Sequence, residues 1–406
     1  MNDLSQKKLI IYIGLAVLIF GVGTLMTYLF LFRGVNPAPT PEPGETVGEG
    51  VSGFPEAGAG IGKDPRYGSG TLQEGSNTEI PISSGITTRI FPVSDTPTLS
   101  LELSKKEDKV YYFKKEGGEL DAYSFPSGTQ ETISTISILG LFNSAWSPSR
   151  DRAAVSYLDG DVVKSFIYRS IGTSSVATLP SGILNAAWSP SGASIAYVTE
   201  VNGETIVTTA DSAGKNQQVL LRSPLRRARV SWPVADRFVL ETYPSGLVPG
   251  YLFSSVRGSG ELRRFLGPQN GLTSLWSPAG SRVLVAATDK NGKSLSLGVY
   301  DSTAKEIWAL DFQTLPEKCV WASESVIYCG VPRGIPQEAT LPDDYLRGEL
   351  NTNDRIVTAD LKTKTVTGIF NEGGYDISNL RAAKDGTYLF FIDRITGKAW
   401  GVEVTK

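Results

Sequence analysis

Trp-Ser-Pro occurs three times in this chain, at Trp146-Ser147-Pro148, Trp188-Ser189-Pro190 and Trp276-Ser277-Pro278, and weaker copies surround Trp232 and Trp321. Successive Trp positions lie 42, 44, 44 and 45 residues apart. Each copy leads through a short turn into an apolar, β-rich run such as Ile195-Ala196-Tyr197-Val198. Self-similarity at about 40–45 residues marks four-stranded blades arranged around an axis, a β-propeller. The cassette fits a blade's innermost strand and first turn. Pro suits position i+1 of a type I turn, and Gly192 or Gly280 follows where the backbone must be permissive. The indole offers a broad apolar surface for neighbouring blades to sandwich. The other role open to these aromatics is ligand contact, and their regular spacing favours the structural one.

A second periodic signal lies about 14–16 residues beyond each cassette, where a Gly-containing turn separates two apolar strands. The copies are Gly117-Gly118, Asp159-Gly160, Asn202-Gly203, Ser245-Gly246, Asn291-Gly292 and Thr396-Gly397. Two cassettes without Trp extend the series outward. Leu103-Ser104 leads into Val110-Tyr111-Tyr112-Phe113, and Arg381-Ala382-Ala383-Lys384-Asp385-Gly386 leads into Tyr388-Leu389-Phe390-Phe391. The expected fold is therefore all-β, a seven-bladed propeller. Its last blade lacks an outer strand, since the third strand, Ala399 to Val404, brings the chain to its end. The segment Thr87-Thr88-Arg89-Ile90-Phe91-Pro92 reads as that missing strand, and pairing the two would close the ring and remove an exposed edge.

Before the propeller, Leu9 to Phe32 is a run of 24 uncharged residues bounded by Lys7-Lys8 and Arg33. A helix of that length crosses a hydrocarbon core of about 30 Å. It is too long for the apolar part of a cleaved signal peptide, which gives a signal anchor; a buried core helix is the alternative reading. Basic residues precede the run, and Glu42, Glu45, Glu49 and Glu56 follow it, so the positive-inside rule puts the N-terminus in the cytoplasm and the propeller outside. The expected organisation is a cytoplasmic tail (1–8), a transmembrane anchor (9–32), a disordered Pro/Gly-rich stalk (33–84) and the propeller (85–406). A flexible stalk of about 50 residues reaches roughly 35–45 Å.

Composition excludes much chemistry. The chain has no His and only two Cys, so Ser-His-Asp and Cys-His catalytic units and His- or Cys-rich metal sites are ruled out. No cofactor or metal is expected. A net charge of −3 gives no global case for nucleic acid.

The Trp-Ser-Pro-(Ser/Ala)-Gly cassette followed by Ile-Ala-Tyr resembles the repeat of TolB-like β-propellers, which recurs in the propeller domains of prolyl oligopeptidase and dipeptidyl peptidase relatives. The resemblance covers about residues 86–406, clear in three blades and blurred in four. The usual Asp of the turn is replaced by Ser149, Ser191 and Ala279. It implies architecture and says almost nothing of function. A peptidase would need an α/β-hydrolase domain, a Gly-x-Ser-x-Gly elbow and a His, none of which the sequence supplies. The chain is expected not to be an enzyme.

In a meander, second-to-third strand loops share one face with the loops that join blades. The sixth blade breaks the period on that face with about 24 inserted residues that include Leu341-Pro342-Asp343-Asp344-Tyr345-Leu346-Arg347. Asp343, Asp344, Tyr345 and Arg347 are candidate partner-binding residues, the alternative being a solvated excursion lying on the ring. Arg226 and Arg227, in a basic cluster with Arg222 and Arg229, fall on the same face and suit an anionic polymer, lipid headgroups or an acidic protein, or else form a solvated loop. Cys319 and Cys329 flank Ser323-Glu324-Ser325 symmetrically and would face each other across a hairpin, as a disulfide or as two buried thiols. The leading expectation is a membrane-anchored scaffold that binds another envelope protein. A module for cell-wall glycan or anionic envelope polymer comes next, and an unrecognised hydrolase is the remote third.

Overall fold

Alternating apolar residues and tight turns build a chain of antiparallel meanders, which the computed structural model describes over residues 80–169 and 175–405. The tail, anchor and most of the stalk expected from the sequence lie outside the described residues. The first meander pairs Thr98–Leu103, Lys109–Lys114, Leu120–Ser124 and Thr129–Ser134 in order. The second pairs Leu141–Trp146, Arg152–Asp159, Val162–Arg169 and Ser175–Thr178, and the third Ile183–Trp188, Ser194–Val201, Glu204–Asp211 and Gln218–Ser223. A seven-stranded sheet follows, from Arg229–Val234 to Glu306–Leu310. Its central strand, Arg263–Trp276, serves two meanders: residues up to Asn270 pair backward with Pro249–Val256, and Asn270 onward pairs with Arg282–Thr288. The next sheet holds Cys319–Trp321, Val326–Pro332, Asp354–Asp360 and Thr365–Phe370.

The last sheet takes Ile377–Ala382, Tyr388–Asp393 and Ala399–Thr405 from the C-terminal end, and its outer strand is Thr87–Pro92. The register runs from Thr87 opposite Thr405 to Pro92 opposite Trp400, as the orphan strand in the sequence suggests. Phe91 locks the pairing. Its ring lies over Gly401, where a Cβ would collide with it, stacks on Tyr123 of the first sheet at 5.7 Å and meets Phe390 edge-on at 6.3 Å. First and last sheets are direct neighbours, since Leu101 N donates to Asn379 Oδ1 at 2.8 Å. Ordered contacts begin slightly before the strand, inside the segment read as stalk: Gly368 N donates to Pro81 O, and Ile82 bridges Gly368 in parallel.

The cassettes explain the repeat. Gly192 N donates to Ser189 O, Gly280 N to Ser277 O and Arg150 N to Ser147 O, one turn three times, with φ of 70°, 67° and 58° at its last residue. The left-handed backbone there is why Gly fills two of the three positions. Trp188 Nε1 donates to Ala145 O at 2.8 Å and Trp321 Nε1 to Leu275 O at 3.0 Å, so each indole ties its sheet to the strand that ends in the preceding Trp. Trp146 instead stacks on Tyr111 at 5.9 Å. Trp232 bonds within its own turn, to Ala235 O, and Trp276 packs on Phe265 at 5.3 Å.

Candidate functional site

The inserted segment, residues 333–353, lies between the strands Val326–Pro332 and Asp354–Asp360 and carries a short helix, α1 (Asp343–Arg347). It is tied to loops of the same face. Asp343 Oδ2 accepts from Gly246 N at 2.7 Å, and Leu341 N donates to Gly292 O at 2.9 Å. Lys293 Nζ donates to Ala339 O at 2.7 Å. Asp344 turns inward on its own segment, accepting from Thr340 N and from Arg347 Nη2. Arg347 is the exposed member of the four candidates and also reaches Glu349 at 2.9 Å.

Tyr345 is buried at 5% exposure, its ring held between two cations, with the Arg394 guanidinium 3.8 Å and Lys318 Nζ 4.9 Å from its centroid. Arg394 also donates to Tyr345 O at 2.8 Å. Lys318, 1% exposed, donates to Asp376 Oδ1 at 2.5 Å, Asp354 Oδ2 at 2.6 Å, Thr352 Oγ1 at 2.8 Å and Ile377 O at 3.1 Å. Burial opposes the charge on Lys318, but Asp354, Tyr345 and Asp376 outweigh it and its pKa is raised. Burial pushes the Asp354 carboxyl up, and the Lys318 ammonium offsets part of that rise. This set is the pin that fastens the insertion to the last two sheets.

The 3-10 turn Pro316–Lys318 sends the preceding residue into a second cluster. Glu317 and Glu241 both approach Arg229 Nη1, at 3.8 and 4.0 Å, and the Arg229 guanidinium lies 5.2 Å from the Tyr243 ring centroid. Burial pushes Glu241 up to about 7, opposed by the Ser274 hydroxyl and Arg229. Burial raises the Glu317 carboxyl as well, and the Arg229 guanidinium opposes the rise.

Arg226 and Arg227 are exposed and sit elsewhere on this face. The Arg226 guanidinium lies over Gly203, and Arg227 N donates to Glu200 Oε2 at 3.3 Å. Among the described residues no hydrogen bond or ion pair joins them to the insertion. Cys319 and Cys329 form a disulfide between directly opposed residues, Cα atoms 4.1 Å apart, one position beyond Lys318.

Sequence reasoning missed a row of exposed apolar residues on the rest of this face. Leu139 is 70% exposed in the loop between the first two meanders, and Phe142 follows it at the start of the next strand. Leu158 and Val162 flank the second meander's hairpin, Val201 stands at the third's, and Leu247, 62% exposed, caps the next. Leu158 N donates to Gly140 O, so the first of these loops lies against the second. These apolar tips follow one another along this face, from the loop between the first two meanders to Leu247 beside the insertion. The signal was present in the sequence as aliphatic residues beside Asp-Gly and Asn-Gly turns, where solvent-facing tips are usually polar.

No protein-family model and no curated protein matches this chain. Its backbone is similar to solved β-propellers. An oligogalacturonate lyase from Vibrio parahaemolyticus aligns at a TM-score of 0.56 and 9% identity, covering 83% of this chain and 98% of that one. The propeller domain of the Trilobed protease from Pyrococcus furiosus aligns at 0.50 and 11% identity, covering 73% and 90%. TolB from Acinetobacter baumannii aligns at 0.43 and 12% identity, covering 70% of this chain and 66% of TolB. At such identities the likeness establishes the fold, an all-β propeller, and leaves function to the site.

Proposed function

We propose that this chain is a seven-bladed propeller, held outside the cytoplasmic membrane by residues 9–32, that serves as a non-catalytic scaffold for an envelope protein. The blade count follows if the seven-stranded sheet is divided at Arg263–Trp276 into two blades. The anchor and its orientation rest on the sequence alone. The observation that carries the docking role is the apolar arc: large aliphatic side chains stand in water at successive loop tips on one face. Contiguous exposed apolar surface rimmed by polar residues marks an interaction site. Its rim favours a protein over a bilayer. Asp159 and Asp161 lie between Leu158 and Val162, and Glu200 and Glu204 flank Val201-Asn202-Gly203. Burying those carboxylates in hydrocarbon is costly, whereas a protein partner can offer them donors. A second reading, binding of an anionic polymer, is favoured by Arg226 and Arg227, which make no ion pair among the described residues.

A photo-crosslinking residue placed at Leu139 or Leu247 of the full chain in its native membrane tests the first reading. Discrete protein adducts are expected there, none from Lys105 on the opposite face; the adduct from Leu139 should vanish on Leu247→Asp, and that from Leu247 on Leu139→Asp. Adducts that are equal at Lys105, or absent from the arc, refute it. Retention on purified cell-wall polymer that is lost with Arg226→Glu and Arg227→Glu favours the second.

A further inference from the structure

We infer that the cleft between the sixth and seventh blades, on the face opposite the arc, is a binding site for a neutral saccharide. Its volume is about 540 Å³, within the range of small-molecule pockets. One wall is a patch of the sixth blade's sheet whose register aligns Tyr328 with Thr358 and Thr367, and Val326 with Asp360 and Thr365. Higher on the same sheet, Ile356 and Phe370 are buried against Ile377 and Phe391 of the next blade. The apolar interface between blades thus gives way to hydroxyls where the cleft opens, though closer packing with aliphatic residues would stabilise the ring. Polar groups set where a core could continue are the informative departure.

The opposite wall is the segment 83–86, turned by a hydrogen bond from Ile86 N to Ser83 O, together with Lys384 and Asp385. The entering chain therefore completes both the ring and the cleft. Ile86, Val326 and Ile369 supply an apolar floor for the C–H face of a sugar ring. Hydroxyls and carboxylates around it donate to and accept from the ring's own hydroxyls. Charge selects a neutral ligand. Asp360 and Asp385 line the cleft against one amine, Lys384, whose Nζ is 3.7 Å from Glu107 outside it. An extended peptide would pair with the outermost strand, but Gly368 at its middle already bonds to Pro81.

The full chain in detergent, titrated with cellobiose, maltose and N,N′-diacetylchitobiose, with glucuronate as the charged control, tests the assignment. At least one neutral disaccharide should saturate below about 10 mM. Thr358→Val with Thr367→Val should weaken it at least about tenfold by removing hydroxyls at nearly constant volume. Ser323→Trp, at the exposed rim, should fill the cleft and abolish binding while melting stays unchanged. Saturation by no probe, affinity that survives Ser323→Trp, or equal binding of glucuronate overturns the proposal. None of these results bears on the docking arc.

Discussion

Replacing Lys318 by Met leaves Asp354 and Asp376, both fully buried, without the ammonium that bonds to each. Removing one partner of a buried ion pair typically costs about 3–5 kcal/mol, because the remaining charge stays desolvated. For a propeller of about 320 residues the unfolding entropy is roughly 0.7 kcal/mol/K, so melting should fall by about 5–8 °C. The loss should depend on pH. Asp354 already has its pKa raised by burial, with Lys318 holding the rise in check. Without Lys318 the folded-state pKa climbs further above the unfolded one. A group raised in this way contributes stability below its unfolded pKa and loses it as pH rises through the folded value. Lys318→Met should therefore approach the parent near about pH 5 and fall furthest behind near about pH 8. Adding Asp354→Asn should recover most of the deficit, since Asp376 keeps the Arg394 guanidinium, 3.6 Å away, as its counter-charge. Trypsin gives a local readout: with one of the two cations against Tyr345 gone, cleavage after the exposed Arg347 should accelerate. Thermal melts of the full chain in detergent, followed by Trp fluorescence at both pH values, decide the matter. A shift below about 1 °C, or one equal at the two pH values, refutes the claim that this cluster pins the insertion.

Gly401→Val should drive the Phe91 ring off the last sheet and reopen the ring, with a loss of about 3–5 kcal/mol by denaturant titration; a midpoint unchanged from the parent removes Phe91 as the lock. Cys319→Ala with Cys329→Ala should cost about 3 kcal/mol, the value for a closed loop of some ten residues, and reductant should then leave the melting of the variant unchanged while lowering that of the parent. Glu241, pushed up to about 7 by burial, contributes stability that is lost as pH rises through that value. Glu241→Gln should thus match the parent near about pH 5 and melt higher near about pH 8; a gap that widens toward acid contradicts the assignment.

What was legible in the sequence is what obeys local steric rules. The turn after each Trp needs left-handed backbone at one residue, so Gly192 and Gly280 recur at fixed distance from it. The closing strand could be found because a meander one strand short implies a donor elsewhere, and Thr87–Pro92 alternates correctly for the role. The ionic pin was not legible. Lys318 meets partners 34, 36 and 58 residues further along, and no periodicity relates a 3-10 turn to the starts of two later strands. The exposed arc was hidden for another reason: Leu158, Val162 and Val201 are good strand residues, and a single sequence cannot tell a strand end that faces a neighbour from one that faces water.

Tyr345 shows how that difference redirects the search for function. Between Asp344 and Arg347 it reads as the aromatic of a surface loop, yet two cations from distant turns close on its ring and take it out of solvent. A segment held by Tyr345, Asp343 and Leu341 at three separate loops is poorly suited to reshape itself around a ligand, because moving it would expose Lys318, Asp354 and Asp376 together. Such rigidity suits a wall. The insertion then sets one limit of the face, next to Leu247, and Leu139 and Phe142 stand exposed farther along it. Charge reversal at Arg347 should therefore leave any partner bound at the arc in place, whereas Leu139→Asp should release it, and the opposite pattern would return the insertion to the centre of recognition.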